Sequence, residues 1–363
     1  MVPQESFGTV TRNTLQIENW LREGALLGSQ GQDLQLAVGP FTLTSTIRRP
    51  RSIWLNPDFF LGADSASSAW EGSQDLALNH SNFEKSIQPF ASPPKAWRWN
   101  PPSFESFRGN FEAAQQAFAK GALNKIVPVV FASADVEVTP SLLAFWLSQA
   151  LASGVQGHLF GKWNLKEGWG VLGLTPEVLF VRRGASVHSM ALAGTAQNAQ
   201  HDLIRDEKEM AEHQIVVCDL SERLKPFGSV RLSTTHVWQP SQLRHLRTDL
   251  ELNLSNAVDD YALLKALHPT PALGGHPREE ALSMLQKWDA GVERGCFGAP
   301  FGRLASDLQM CEFVVAIRCL IWSGGRLRIG SGCGLVSQSQ LMAEWSELER
   351  KRESVMKTFG VAW

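Results

Sequence analysis

Apolar residues in the first hundred positions come in short runs, at Leu34–Val38, 41–47 and 52–55. Gly and Pro interrupt them, which is the pattern of strands and turns. The stretch 92–103 (SPPKAWRWNPPS) is rich in proline and polar at its ends, and reads as a linker. Beyond it the periodicity sharpens. Phe107, Phe111, Ala114, Ala117, Phe118 and Ala122 recur at helical spacing, which predicts a helix over 107–123 with Gly121 near its end. The run KIVPVVFA at 125–132 is β-branched and strand-like. Pro128 inside it cannot donate to a ladder, so a bulge or an edge position is expected there.

Further on, 169–180 and 187–192 read as strands flanking a turn at 182–185. A helix is predicted over 207–224, with Met210, His213, Val217 and Leu220 near one face. The C-terminal part repeats the alternation: a helix at 279–292, strands at 312–322 and 326–330, and a helix at 340–359. No internal repeat is visible. Helices interspersed among antiparallel-looking strands predict an α+β fold rather than a doubly wound parallel sheet.

Composition narrows the function classes. At 44% hydrophobic and 19% charged residues the chain is too apolar for disorder, and its 363 residues can bury a substantial core. A formal charge of −2 carries no basic footprint for nucleic acid or an acidic membrane, which leaves a small molecule as the expected partner. The N-terminal stretch lacks a basic region followed by an apolar one, and no run approaches 18 apolar residues. No membrane segment and a cytoplasmic location are therefore expected. The five cysteines show no CxxC or zinc-like spacing and read as reduced thiols, and thirteen Trp against one Tyr reads as packing.

Phosphate loops of the GxxxxGK[ST] or GxGxxG form, a GxSxG elbow and an HExxH helix are all missing from the sequence. What remains is a set of carboxylates and cations on helices and at element ends. Lys208 and Glu212, and Glu344, Glu347 and Lys351, lie at spacings of three and four, so each set shares a helix face. By spacing alone these are solvated ion pairs. Gly330, Gly332 and Gly334 of GSGCG, and Gly194 of ALAGT, follow or close strands, where backbone N–H groups can approach an anion. The segment HPTPALGGHP at 268–277 is too dense in Gly and Pro for a regular element and predicts a shaped loop.

Taken together and in order, LTPE, ALAGT, KEMAEH (208–213), HLRT, HPTPALGG, ERG, AIR, GSGCG and EWSELERK resemble the chorismate-binding enzymes. These comprise isochorismate synthases, salicylate synthases and the first components of anthranilate and aminodeoxychorismate synthases. The resemblance covers about 107–360 and is closest to isochorismate synthases of the menaquinone or siderophore type. It implies an α+β sandwich of two layered, mostly antiparallel sheets with helices on the outside. It also implies one structural domain over 1–363, in which 1–100 add strands and 107–360 bind chorismate.

Carried onto this sequence, the resemblance implies Mg²⁺ on Glu212 and Glu347 with Glu344 beside them, which suits an ion that takes hard oxygen ligands and keeps waters and substrate oxygens in its shell. It implies Arg318 on the pyruvyl carboxylate of the substrate, where a bidentate fork is apt. Gly194, Thr195, His245, Gly330, Gly332, Gly334 and Lys351 would complete substrate binding. Lys125 would be the general base toward water attacking C2 of the ring, and Glu177 the general acid on the departing C4 hydroxyl. Each needs a shifted pKa, which burial can supply. Read without the resemblance, Lys125 and Glu177 look like surface residues.

Ala193 stands where aminodeoxychorismate synthases often carry a lysine before Gly-Thr, and the HPTPALGG loop resembles the members that use water. Isochorismate synthase is thus the expected activity, with salicylate synthase or a chorismate-binding protein of little turnover as alternatives. No glutaminase partner is expected, and the chain is expected to be a monomer or weak homodimer. The sequence departs from the family pattern at Val130, where an arginine is usual, at Met210, at Cys296 and Phe297 after ERG, and at Gln197 and Asn198.

Overall fold

The computed structural model describes residues 20–362 apart from 30–33, 39–41, 45–52, 56–68, 72–73, 79, 95, 197–201, 289–293 and 306–309. Two large sheets, antiparallel throughout their described pairings, carry the fold. The first runs in the order β6 (Gln74–Leu78), β2 (Leu34–Val38), β1 (Glu23–Ser29), β10 (His158–Asn164), β11 (Trp169–Thr175), β20 (Cys319–Ser323), β21 (Arg326–Gly332), β9 (Val129–Asp135), β7 (Trp99–Asn100). The second runs β14 (Gly228–Leu232), β16 (Arg244–Leu254), β13 (Ser186–Ala196), β12 (Val178–Arg183), β19 (Met310–Val315), β18 (Pro300–Ala305), β4 (Ile53–Leu55), β5 (Ala69–Glu71), β3 (Thr42–Thr44), with β15 (His236–Trp238) also on β16. A two-stranded piece pairs β8 (Lys125–Ile126) with β17 (Gly275–His276).

Central strands of the first sheet are buried on both faces, so they read as near-continuous apolar runs rather than alternations. Phe160, Val171, Cys319 and Ile321 point into the core between the sheets, beside Val178, Met190 and Val314 of the second sheet. Leu159, Trp163, Leu172, Leu320 and Trp322 point the other way, under α3 (Pro140–Ala152) and α7 (Leu341–Phe359). This outer core holds Trp20, Trp97, Trp99, Trp146, Trp163 and Trp322, which is where much of the tryptophan surplus goes. Several of these indoles meet edge-on, as Trp20 and Trp163 do at 4.9 Å. The second sheet is covered by α4 (Glu207–Leu224) and α5 (Asp260–Leu267), through Val216, Val217, Leu220 and Leu224 of one and Leu263, Leu264 and Leu267 of the other.

Three predicted strands are each divided in two. Pro128 splits 125–132: Lys125 and Ile126 pair with His276 and Gly275, while Val129 onward pairs with β21. The runs 169–180 and 312–322 each leave one sheet and join the other, a change that hydrophobic pattern cannot register. The stretch 92–103 is more than a linker, because its Trp99 and Asn100 pair with Ala134 and Ser133 at the edge of the first sheet. The predicted helix 107–123 is α2 (Phe104–Ala119), started earlier by Ser103, whose hydroxyl accepts from the Ser106 N–H. Helix 207–224 keeps its bounds. The helix predicted at 279–292 is α6 (Arg278–Trp288), and the rest of that range lies outside the described residues. Helix α7 ends at Gly360, in the left-handed region at φ 64°. A further helix, α1 (His80–Ile87), lies at the end of the N-terminal strands.

The HPTPALGG segment is a shaped loop, as expected. Arg278 fixes its approach by donating to the carbonyls of Lys265, Ala266, Leu267 and His268 at 2.8–3.2 Å, which satisfies the C-terminal carbonyls of α5. Charged hydrogen bonds of this kind contribute roughly 1.5–3 kcal/mol each before coupling. Arg278→Ala is expected to lower stability by about 2–4 kcal/mol. Urea denaturation would read this as a lower midpoint at unchanged slope.

Candidate active site

The two strands that change sheets do so side by side. Strand β11 pairs with β20 in the first sheet, and β12 with β19 in the second. At the seam between them the Leu174 N–H donates to the Arg318 carbonyl and the Val315 N–H to the Glu177 carbonyl, at 3.2 and 3.0 Å. Glu177 and Arg318 are thus delivered to one place by the crossing itself. Arg318 has φ 53°, the only positive φ among described non-glycine residues. Such a conformation costs on the order of 1–3 kcal/mol and persists where the surroundings dictate it. Burial pushes the Glu177 carboxyl up to about 7, although Lys125, Lys351 and Arg318 pull it down.

Behind this seam the first turns of α4 and α7 meet the end of β8. Their glutamates and lysines are not the solvated pairs that spacing alone suggested. Lys125, 1% exposed, bonds Glu212 at 2.9 Å. Lys208 reaches Glu209 at 2.9 Å, Glu212 at 3.4 Å and Glu344 at 3.0 Å, while Lys351 bonds Glu347 at 2.6 Å and the Gly332 carbonyl at 2.8 Å. Burial would raise Glu212, but Lys125 and Lys208 outweigh it and hold the carboxyl at about 2. Glu344 has only Lys208, which it shares with Glu209 and Glu212. Burial and the neighbouring Glu347 raise it to about 7, and its Oε2 is buried without a hydrogen-bond partner.

The opposite wall comes from β13, whose ladder shifts register around Gly194, at φ 76°. Glu209 fills the space beside this bulge and accepts from the Thr195 N–H at 2.8 Å. The Thr195 amide is therefore taken, and its hydroxyl, 3.3 Å from His245 Nδ1, is the polar group left toward the cleft. Burial, with Arg318 and Lys351 nearby, lowers His245 to about 3, so its imidazole is neutral.

Glu177, Gly194, Thr195, Glu212, His245, Arg318, Gly330, Gly332, Gly334 and Lys351 all line one cleft of about 750 Å³, counting space open to solvent. Three expected residues stand back from it: Lys125 lies behind Glu212, and Glu344 and Glu347 behind Lys208 and Lys351. Lys125 and Glu177 are both buried, contrary to their reading without the resemblance. Sequence reasoning gave no role to Ala272, Leu273, Arg294 and Phe297, which also line the cleft. Arg294 is 5% exposed and donates to the Val127 carbonyl at 3.2 Å. The ERG and HPTPALGG motifs that contain Arg294, Ala272 and Leu273 were the available signal. The loop's backbone also pairs with the strand bearing Lys125.

A profile of the family described as chorismate binding enzyme matches residues 46–360. The chain belongs to the chorismate-binding enzyme family. The match begins well before residue 107, ahead of the first of the family motifs in the sequence. Among curated members, the isochorismate synthase MenF of Haemophilus influenzae is 34% identical over 199 residues, 52% of this chain and 46% of that protein. A salicylate biosynthesis isochorismate synthase of Pseudomonas aeruginosa is 35% identical over 205 residues, 52% of this chain and 43% of that protein. Each match spans less than half of the relative's length. The menaquinone-specific isochorismate synthase MenF of Escherichia coli has the same chorismate-binding fold, with a TM-score of 0.78 at 21% identity over 96% of this chain and 91% of that one. Among the described residues no helix is long and apolar enough to cross a membrane.

Gly334 is the tightest point of the site. A Cβ there would lie 2.1 Å from Glu212 Oε1 and 2.8 Å from Lys125 Cε. Gly334→Ala must push the Lys125–Glu212 pair aside, and a displacement of about 1 Å can cost on the order of 100-fold in rate. Turnover is expected to fall by at least that factor while far-UV circular dichroism is unchanged. Glu177 gives a pH signature. Because its folded pKa of about 7 lies above the ordinary value of 4.5, wild type loses stability as pH rises between the two. Relative to wild type, Glu177→Gln should gain about 3 kcal/mol across that window and stay level above it. Denaturation midpoints at pH 4, 6 and 8 measure the difference.

Proposed function

We propose that this protein is an isochorismate synthase, converting chorismate to isochorismate by addition of water at C2 and departure of the C4 hydroxyl. One observation carries the reading: a buried carboxyl, Glu177, with a pKa of about 7, lines a cleft beside Arg318 and Lys351, cations suited to the two carboxylates of chorismate. The names of the curated relatives point the same way. Ala193 lines the cleft at the position where the lysine route of aminodeoxychorismate synthases would need an amine, which disfavours that route, and the HPTPALGG loop resembles that of the members that use water.

Glu177 acts as general acid on the C4 oxygen, and remains partly protonated at neutral pH because burial disfavours its charge. Arg318 and Lys351 orient the carboxylates, and Val127, Leu192, Leu273, Phe297 and Ile317 keep water from the rest of the ring. Lys125 is the general base toward the attacking water. Its amine is held by Glu212, so this role requires the pair to open.

The carboxylates also fit Mg²⁺. Among the described residues no three His, Cys, Asp or Glu side chains already close around a point as an all-protein cage would. Mg²⁺ does not demand one, since it binds through one or two carboxylates plus waters and substrate oxygens. Glu212 and Glu347 would hold it, with Glu344, whose buried Oε2 lacks a partner, beside them. When bound it would neutralise and orient the ring carboxylate.

Incubating the protein with chorismate and Mg²⁺ and resolving the products by chromatography tests the proposal. Isochorismate alone is expected. Salicylate with pyruvate would replace the reading by salicylate synthase, and binding without turnover would remove the catalytic claim. Lys125→Ala and Glu177→Gln are each expected to abolish turnover in a folded protein, and near-normal activity in either sinks its assigned role.

A further inference from the structure

The three lysines of the buried cluster are not held alike. Lys125 is 1% exposed and enclosed, since even a methyl group on Gly334 would come within 2.8 Å of its Cε. Lys351 has a neutral anchor besides Glu347, the Gly332 carbonyl at 2.8 Å. Every bond described for Lys208 is to a carboxylate: Glu209 at 2.9 Å, Glu344 at 3.0 Å and Glu212 at 3.4 Å. Its side chain is also the most exposed of the three, at 21%, and springs from the first turn of α4.

These contacts occupy oxygens that a metal would need. Glu212 gives Oε1 to Lys125 and Oε2 to Lys208, and Glu344 gives its Oε1 to Lys208 as well. The acids are turned toward an ammonium rather than toward one another, and among the described residues no three of them close on a common point. Charge leads to the same place. With every group ionised, four glutamates face three ammonium groups; a divalent ion added to all of them reverses the sign of the cluster, whereas loss of one ammonium leaves it neutral. Like charges a few ångström apart in a buried site repel strongly. Entry of Mg²⁺ therefore favours departure of one lysine, and Lys208 has the fewest other ties.

We infer that Lys208 is a tethered counter-ion that competes with the metal: its ammonium balances Glu209, Glu212 and Glu344 in the metal-free protein and swings out of the cluster when Mg²⁺ binds. The lysine keeps the acids charged and folded in place, and in doing so weakens the hold on Mg²⁺. This inference rests on the reading of Glu212 and Glu347 as holders of Mg²⁺.

Titration calorimetry of metal-free protein with Mg²⁺ tests it, using Lys208→Met, which keeps the length of the side chain and removes its charge. The variant is expected to bind Mg²⁺ at least ten-fold more tightly, with far-UV circular dichroism unchanged. Brief acetylation of wild type, read by peptide mass spectrometry, gives a second measure that does not depend on the variant's folding. Labelling of Lys208 should rise several-fold on saturation with Mg²⁺ while Lys125 stays protected. Equal or weaker Mg²⁺ binding by folded Lys208→Met, or labelling of Lys208 that Mg²⁺ leaves unchanged or lowers, overturns the lysine's role alone. If Mg²⁺ binds neither protein, the assignment of the metal to Glu212 and Glu347 falls and this inference with it.

Discussion

Four glutamates, Glu209, Glu212, Glu344 and Glu347, lie buried against three lysines, Lys125, Lys208 and Lys351, and the surrounding fold is built to hold that cluster. Buried carboxylates are tolerated only when paired and hydrogen-bonded, and removing one partner leaves a charge that costs several kcal/mol. The cluster gathers residues from β8, α4 and α7, which are remote in sequence, so its formation fixes how these elements dock. With three cations for four acids one carboxyl is left short. Lys208 is shared among Glu209, Glu212 and Glu344, and Glu344, pushed up to about 7 by burial and Glu347, keeps one buried oxygen without a hydrogen-bond partner. A cation delivered there would relieve it.

The seam between the sheets supplies the other half of the chemistry. Glu177 and Arg318 occupy the points where neighbouring strands change sheets, so their separation is set by backbone hydrogen bonds rather than by loops. The strained Arg318 backbone is tolerable because the ladders on both sides dictate it.

Much of this was legible from the sequence, and unevenly so. Helix 207–224 could be placed from its periodicity because one apolar face packs on a sheet while the other carries charge. The strands around Glu177 and Arg318 were read as unbroken, since a strand that crosses between two buried layers stays apolar on both sides of the crossing. Burial of Lys125 and Glu177 was invisible for a related reason: their charged partners, Glu212 for the one and Lys125, Arg318 and Lys351 for the other, lie far away in sequence. The motif set brought the cleft residues together where composition and spacing could not. Met210, a departure from the family pattern, proves to pack with Ala196, Leu203, Leu246 and Val237, so the position is part of an apolar contact.

The concentration of indoles beneath the first sheet has an optical consequence. The core of the second sheet, under α4 and α5, contains no tryptophan among its residues, whereas six crowd the other layer. Six of the thirteen indoles thus sit on one side of the sandwich, and the share of a melting curve that they carry reports the helices parting from that side. Coincidence with a backbone-absorbing probe would show that both layers come apart as one cooperative unit.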